Sequence, residues 1–323
     1  MSLPALLVDR LALPVIGAPL FIVSNPDLVV AQCTAGVVGA FPALNARPAE
    51  QLDTWLQRID DALAAQRAAH PDTKIAPYAV NQIIHPSNDR LAHDMAACRR
   101  HRVPIVITSL SAPHEVVPAV HDWGGLVFHD VISVRHARKA LEAGVDGLIL
   151  VCAGAGGHAG GLSPFALVAE VRRFYDGTII LSGAITRGEQ VLAAEAMGAD
   201  LAYIGTRFIA TREANATAAY KQMIVDSTAA DVVYSNLFTG VLGNYLRGSI
   251  VNAGLDPDQL PQADKSTMSF GSGGSARSKA WRDIWGAGQG VGSIDDIRGA
   301  AEVVETLRHD YLQARARLAL RSA

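Results

Sequence analysis

Thr178-Ile-Ile-Leu-Ser182-Gly183-Ala184 and Leu201-Ala-Tyr-Ile204-Gly205-Thr206-Arg207 are two apolar strand-like runs that each end in a glycine turn, with one helical stretch between them. Near-continuous apolar strands alternating with helices indicate a parallel sheet with helices covering its outer face. The helix between them closes on Glu195-Ala-Met-Gly198-Ala-Asp200, with glycine where a helix C-cap favours it. Glycines at the ends of strands let the main chain come close to a ligand. Loops after the seventh and eighth strands of an α/β barrel commonly form a phosphate site. Two such turns in succession, the second followed by Thr206 and Arg207, fit that pattern.

The same alternation extends back to the N-terminus. Further strand candidates are Leu13–Ala18, Val37–Phe41, Ile75–Val80, Pro104–Thr108, Leu126–His129 and Gly147–Val151. Helical stretches such as Pro48–Ala69 and Val134–Ala143 separate them. Eight strand–helix units predict a (β/α)₈ TIM barrel, because a doubly wound sheet of about six strands leaves two units unplaced. The alternation breaks after the eighth unit. Residues 227–292 are rich in Asn, Gly, Ser and Pro, including Phe270-Gly-Ser-Gly-Gly-Ser275, and are too long for a simple connection. The sequence therefore divides into a barrel (1–226), a lid or substrate subdomain (227–292) and a C-terminal helix segment (293–323), with the helix expected over Ile294–Leu320.

Composition excludes several classes. Half of the 323 residues are hydrophobic and 18% are charged, enough apolar mass for a large core. A net charge of −3 gives no electrostatic footprint for nucleic acid or an anionic membrane. No apolar run approaches the roughly 20 residues of a membrane helix, and the N-terminus lacks a signal-peptide pattern. Cys33, Cys98 and Cys152 are scattered without metal-like spacing, which suits free thiols in a reducing cytoplasm.

The chemistry concentrates in Ala153-Gly-Ala-Gly156-Gly157-His158-Ala-Gly-Gly161, directly after the apolar run Gly147–Cys152. His158 is the one side chain of that loop able to do acid–base work near neutral pH, and glycine and alanine around it give little packing reason for its presence. His129-Asp130 sits at the end of the fifth strand, where a barrel places its site. Trp281–Gly292 contains two tryptophans and a glycine-dense stretch, suited to packing over the barrel or to passing close to a planar ligand. The dinucleotide-binding glycine spacing is missing, and no serine elbow, HExxH or paired-cysteine pattern is present.

Pro14-Val-Ile-Gly-Ala-Pro-Leu20, Ala155-Gly-Gly-His158, Ser182-Gly-Ala184 and Tyr203-Ile-Gly-Thr-Arg-Phe-Ile-Ala-Thr211 together resemble the nitronate monooxygenases, also called the 2-nitropropane dioxygenase family. The resemblance runs from about residue 11 to 297. It implies non-covalent FMN at the C-terminal ends of the barrel strands. Ala18, Pro19 and Leu20 would line the isoalloxazine, with Asn81 near its edge. Gly156 and Gly157 would lie beside the cofactor, while Ser182, Gly183, Ala184, Gly205 and Thr206 would hold its phosphate. His158 would be the active-site histidine. Leu20 stands where members often have methionine, and Asp130 where some have lysine near the flavin. An acid there is not expected to stabilise a reduced-flavin anion, so either His129 takes part or the flavin is tuned differently.

The activity implied is oxidation of alkyl nitronates with O₂ to carbonyl compounds and nitrite. The alternative is an NAD(P)H-dependent FMN reductase of quinones or enoyl thioesters, since Ile284-Trp-Gly-Ala-Gly288 and Ser293-Ile-Asp-Asp296 resemble the quinone-reductase branch. The expected partners are a small-molecule substrate and O₂, with neither nucleic acid nor membrane. A cytoplasmic monomer or homodimer is expected.

Overall fold

Eight of the short apolar runs form one parallel sheet in a computed structural model that describes residues 3–263 and 283–320. The strands are β1 (Val15–Gly17), β2 (Gly39–Pro42), β3 (Tyr78–Ile84), β4 (Ile105–Leu110), β5 (Leu126–Val131), β6 (Gly147–Val151), β8 (Thr178–Ser182) and β9 (Leu201–Ile204). Their order is β1-β9-β8-β6-β5-β4-β3-β2, and a parallel bridge between Ile16 and Val38 joins the two ends. The result is a nearly closed TIM barrel. Successive side chains on a strand point to opposite faces, so each strand supplies both of the protein's apolar layers. Ile16, Ala40, Ala79, Ile107, Phe128, Ile149, Ile180 and Leu201 form a single cluster that fills the barrel. Val15, Val106, Val127, Leu148 and Ile179, one position out of step, belong to the second cluster beneath the helices. Emptying one such site by truncation, as in Phe128→Ala, costs about 3–5 kcal/mol.

The helices between strands are α1 (Pro26–Thr34), α2 (Gln51–Ala69), α3 (Leu91–Arg100), α4 (Val116–His121), α5 (Val134–Glu142), α6 (Pro164–Arg172) and α7 (Gly188–Met197). Local chemistry sets their ends. Asn25 caps α1 by accepting the Leu28 N–H, Ser133 does the same for α5 through His136, and Gly198 ends α7 at a left-handed φ of 105°. After β9 come α8 (Thr206–Ile209), α9 (Ala218–Asp226), α10 (Arg247–Asn252) and α11 (Ala300–Ala319).

Two features differ from the sequence expectation. The last helix begins at Ala300 rather than Ile294, because Gly299 takes an extended N-cap conformation and Asp296 is held by Arg207. The region after the barrel also forms a small sheet, β10 (Val232–Ser235), β11 (Gly243–Leu246) and β7 (Gly157–His158), in the order β10-β11-β7. Both pairings are antiparallel, so residues following the barrel fold back onto the glycine-rich loop after β6. Phe270–Ser275 and Trp281 lie outside the described residues.

Candidate active site

A cavity of about 280 Å³ opens at the C-terminal ends of the barrel strands. The inward positions of successive strands supply its floor: Asn81, Ser109, Asp130, Val151, Ser182 and Tyr203. Each continues the parity of the interior cluster below it, as Asp130 does Phe128 and Tyr203 does Leu201. Ala18, Pro19 and Leu20 form one wall, in the loop after β1. Asn45, unsuspected from the sequence, fixes that loop: its Nδ2 donates to the carbonyls of Leu20 (2.9 Å) and Ser24 (2.8 Å), and its Oδ1 accepts the Ile22 N–H at 2.8 Å. That clamp holds Ile22, a β-branched residue, at a φ of 57°.

The two glycine turns lie side by side. Gly183 has a φ of 141° and Ala184 a φ of 54°, which turns the Ser182–Ala184 main chain across the end of the cavity. Gly205 and Thr206 line the cavity beside it. Arg207, which the sequence places in the same turn, is not part of the lining. Its guanidinium points to the C-terminal segment, donating to the Asp296 carbonyl (2.9 Å) and to Asp296 Oδ1 (2.8 Å).

The glycine-rich loop after β6 meets a second glycine-rich segment, 286–290, backbone to backbone. Gly154 O accepts the Gln289 N–H at 2.9 Å, and Gly288 N donates to Thr206 Oγ1 at 2.8 Å. A Cβ on Gly156 would sit 2.7 Å from Gly288 N, so glycine is required by this approach. Asn244 of β11 adds a bond from Nδ2 to the Ala155 carbonyl at 2.6 Å. Gly156, Gly157 and His158 all face the cavity as a result. Trp285 reaches it from the same late segment, stacked on Tyr220 with ring centroids 4.9 Å apart.

His158 Nε2 lies 2.9 Å from Thr239 Oγ1. Thr239 donates its own proton to the Val241 carbonyl at 3.0 Å, so it accepts from the imidazole. That assigns the proton to Nε2 and the lone pair to Nδ1. Protein packed around the ring lowers the His158 pKa to about 4 and keeps it neutral in the cell's pH range. Asp130 behaves oppositely: burial pushes its carboxyl up to about 7, against the Ser109 hydrogen bond that lowers it.

The cavity thus gathers Ala18, Pro19, Leu20, Asn81, Asp130, Gly156, Gly157, His158, Ser182, Gly183, Ala184, Gly205 and Thr206. His129 does not join them. It occupies an outward position of β5, in step with Val127, and bonds Thr108 Oγ1 through Nδ1 at 2.8 Å beneath the helix layer. Burial, with His136 nearby, lowers its pKa to about 4. It cannot take up the flavin role expected of it. Strand parity counted from Phe128 was the available signal. Ser109 and Tyr203 could have been found the same way, whereas Thr239 lies 81 residues from its partner and leaves no local signature.

A sequence profile of the nitronate monooxygenase family matches residues 7–310. The chain belongs to that family. Its members are flavin-dependent oxidoreductases. Among curated relatives, a nitronate monooxygenase of Paraburkholderia phytofirmans is 25% identical over 97% of this chain and 95% of its own. A nitronate monooxygenase of Neurospora crassa is 27% identical, the match covering 61% of this chain and 56% of that protein. Two solved structures share the fold. A nitroalkane oxidase of Streptomyces ansochromogenes superposes with a TM-score of 0.81 at 24% identity, covering 97% of this chain and all 100% of that one. The enoyl reductase domain of MlnA from Bacillus amyloliquefaciens gives 0.71 at 14% identity over 99% of both chains. Among the described residues of this family member, no helix is long and apolar enough to cross a membrane, and no cluster of ligands could hold a metal ion.

Proposed function

We propose that this protein is an FMN-dependent nitronate monooxygenase, oxidising small alkyl nitronates with O₂ to a carbonyl compound and nitrite. The observation that supports this most is the neutral His158, set by Thr239 on the wall of the cavity that the Ser182–Ala184 and Gly205–Thr206 turns close. The residues fit the cofactor. The turns offer main chain and hydroxyls to a phosphate, Ala18, Pro19, Leu20 and Val151 offer a flat apolar wall to a ring system, and Asn81, Asp130 and Tyr203 offer polar groups to its edge. FMN, when bound, supplies the redox chemistry. The chain supplies binding, orientation and proton handling.

His158 does the proton handling. With its proton on Nε2, the ring presents Nδ1 as a base that can remove the α-proton of a neutral nitroalkane. Once Nδ1 has taken that proton, it donates to the nitronate so formed, and the anion raises the imidazole pKa and strengthens that hydrogen bond. Trp285 and Tyr220 cover this end of the cavity, limiting water. Anaerobic addition of ethyl nitronate to FMN-loaded protein is expected to bleach the flavin absorbance. An unchanged spectrum overturns the assignment, and bleaching by NADH alone moves it to a reductase of quinones or enoyl thioesters.

A further inference from the structure

Arg90 does not line the cavity, yet the loops after β1, β2 and β3, which do, are all tied to it. It is buried, 8% exposed, and stands at the N-cap position before α3. Its main-chain N–H donates to Asn88 Oδ1 at 3.2 Å, and Asn88 Nδ2 donates in turn to the carbonyl of Ile83, a lining residue of β3. Its guanidinium reaches the loop after β2. Nη1 donates to the Ala46 carbonyl at 2.7 Å and Nη2 to the Ala43 carbonyl at 3.3 Å. Those carbonyls flank Leu44, which lines the cavity, and Asn45, which clamps the loop after β1 at Leu20, Ile22 and Ser24.

Stability alone does not account for such a residue. Taking a guanidinium out of water is costly, and a buried ion pair is often no more stabilising than an apolar pair of the same volume. Asp94, fully buried one helical turn on, accepts from Nη2 at 3.0 Å through an oxygen that also lies 3.1 Å from His93 Nδ1. Arg90 Nε and Asp94 Oδ2 have no hydrogen-bond partner among the described residues. The ion pair is thus incompletely satisfied, while both bonds to the loop carbonyls are made. Strain lies at the far end of this chain of contacts. Ile22 is β-branched and sits at a φ of 57°, a conformation that persists only where the surroundings over-determine it, as they do around ligand sites. Asn45 Oδ1 holds its N–H, and Asn215 Nδ2 donates to its carbonyl at 3.0 Å. A planar fork with fixed donor directions can grip two carbonyls of one turn, which a point charge on a flexible stem does not.

We propose that Arg90 is a positioning residue for the cavity. It fixes the turn from Ala43 to Ala46, the turn fixes Asn45, and Asn45 keeps Ile22 left-handed, so that Leu20, Ile22 and Leu44 stand as one wall against the bound molecule. The consequence for FMN rests on the proposed function above; the positioning of the wall does not.

Replacing both members of the ion pair, Arg90→Met with Asp94→Leu, separates positioning from stability. Apolar groups of similar size then fill the space, and the urea midpoint should stay near that of wild type. Amide exchange in the unliganded protein should nonetheless quicken about tenfold at Ile22 and Ala46, with β5 and β6 unchanged. FMN affinity, read by fluorescence, should fall about tenfold. Asn45→Ala should do the same, and adding it to the double change should bring no further loss, since both break one chain of contacts. A role confined to stability predicts wild-type exchange and affinity once the midpoint is restored. Wild-type exchange at Ile22 in the folded double variant overturns the proposal, and so do losses that multiply with those of Asn45→Ala. Should the double variant not fold, Arg90→Lys takes its place, keeping the charge beside Asp94 without the fork, and the same two outcomes decide. Wild-type apoprotein that rejects FMN defeats the flavin reading instead, and the exchange measurements alone then decide the positioning.

Discussion

Replacing Gly183 by alanine tests the turn at the end of the cavity more sharply than any other single change. The residue has a φ of 141°, which L side chains rarely adopt, and holding alanine there costs about 1–3 kcal/mol. The new methyl would also sit 2.8 Å from the Ala153 carbonyl and 3.4 Å from Cys152 Cβ. That oxygen belongs to main chain and cannot swing aside as a flexible side chain would, so overpacking adds about 1–3 kcal/mol. Together the two effects give about 2–6 kcal/mol, against a typical total of about 5–15 kcal/mol. The variant should fold but unfold at clearly lower urea concentration, with an unchanged slope. Gly161→Ala is the control. Nothing lies within 4 Å of its added Cβ and its φ is ordinary, so its stability should stay within about 1 kcal/mol of wild type. FMN titration of both folded variants should show weaker binding only for Gly183→Ala. A Gly183→Ala midpoint matching that of Gly161→Ala would refute the reasoning.

His158→Asn should retain FMN while turnover falls by about 10²–10⁴, as expected when a general base is removed; steady-state assays with ethyl nitronate and an FMN titration check this, and unchanged turnover leaves the histidine a structural role. Arg207→Met removes the bonds to Asp296 and should cost about 1–3 kcal/mol. Faster amide exchange at residues 294–299, with barrel strands unchanged, would show that the arginine ties down the C-terminal segment and serves no anion. Stability should also respond to pH in two opposing ways. His129 is held at about 4 against an ordinary 6.5, so the unfolded chain binds more protons and stability falls between pH 6.5 and 4, by about 3 kcal/mol for that residue. His158 acts in the same direction. Asp130, raised from 3.8 to about 7, acts oppositely: the folded chain binds the extra proton, and its contribution is lost as pH rises through 7. Asp130→Asn should therefore steepen the loss on acidification and stabilise the protein at pH 8, read from denaturation midpoints across the range.

The barrel was legible because each βα unit writes its own pattern locally. Val15–Gly17 and Gly147–Val151 are apolar along their whole length, and the glycine turns after β8 and β9 mark where strands meet ligands. The wall residues Ala18, Pro19 and Leu20 came from the family resemblance and not from this local pattern. What failed was facing. His129 and Asp130 are adjacent and both polar, and only the pleat separates one that looks into the cavity from one under the helices. The partners of the glycine-rich loop were illegible for another reason. Thr239, Asn244 and Gly288 contact it across 81 or more residues of sequence, and neither a hydroxyl nor an amide announces a partner so far away. Arg207 follows a glycine turn, yet its partner is Asp296, 89 residues on, and nothing beside it in the sequence gives that pairing away.

The pairing of β7 with β11 separates the order in which this protein is made from the order in which it becomes competent. The last barrel strand ends at Ile204, yet His158 gains its strand partner at Gly243 and its hydroxyl partner at Thr239. A nascent chain emerging from the ribosome to about residue 230 already holds every barrel strand and lacks both of those partners. Its cavity is then open on the side that Gly286–Gly290 later covers. A bulky ligand has its freest entry before that cover is laid down, and the competence of the histidine waits on residues made after the last barrel strand.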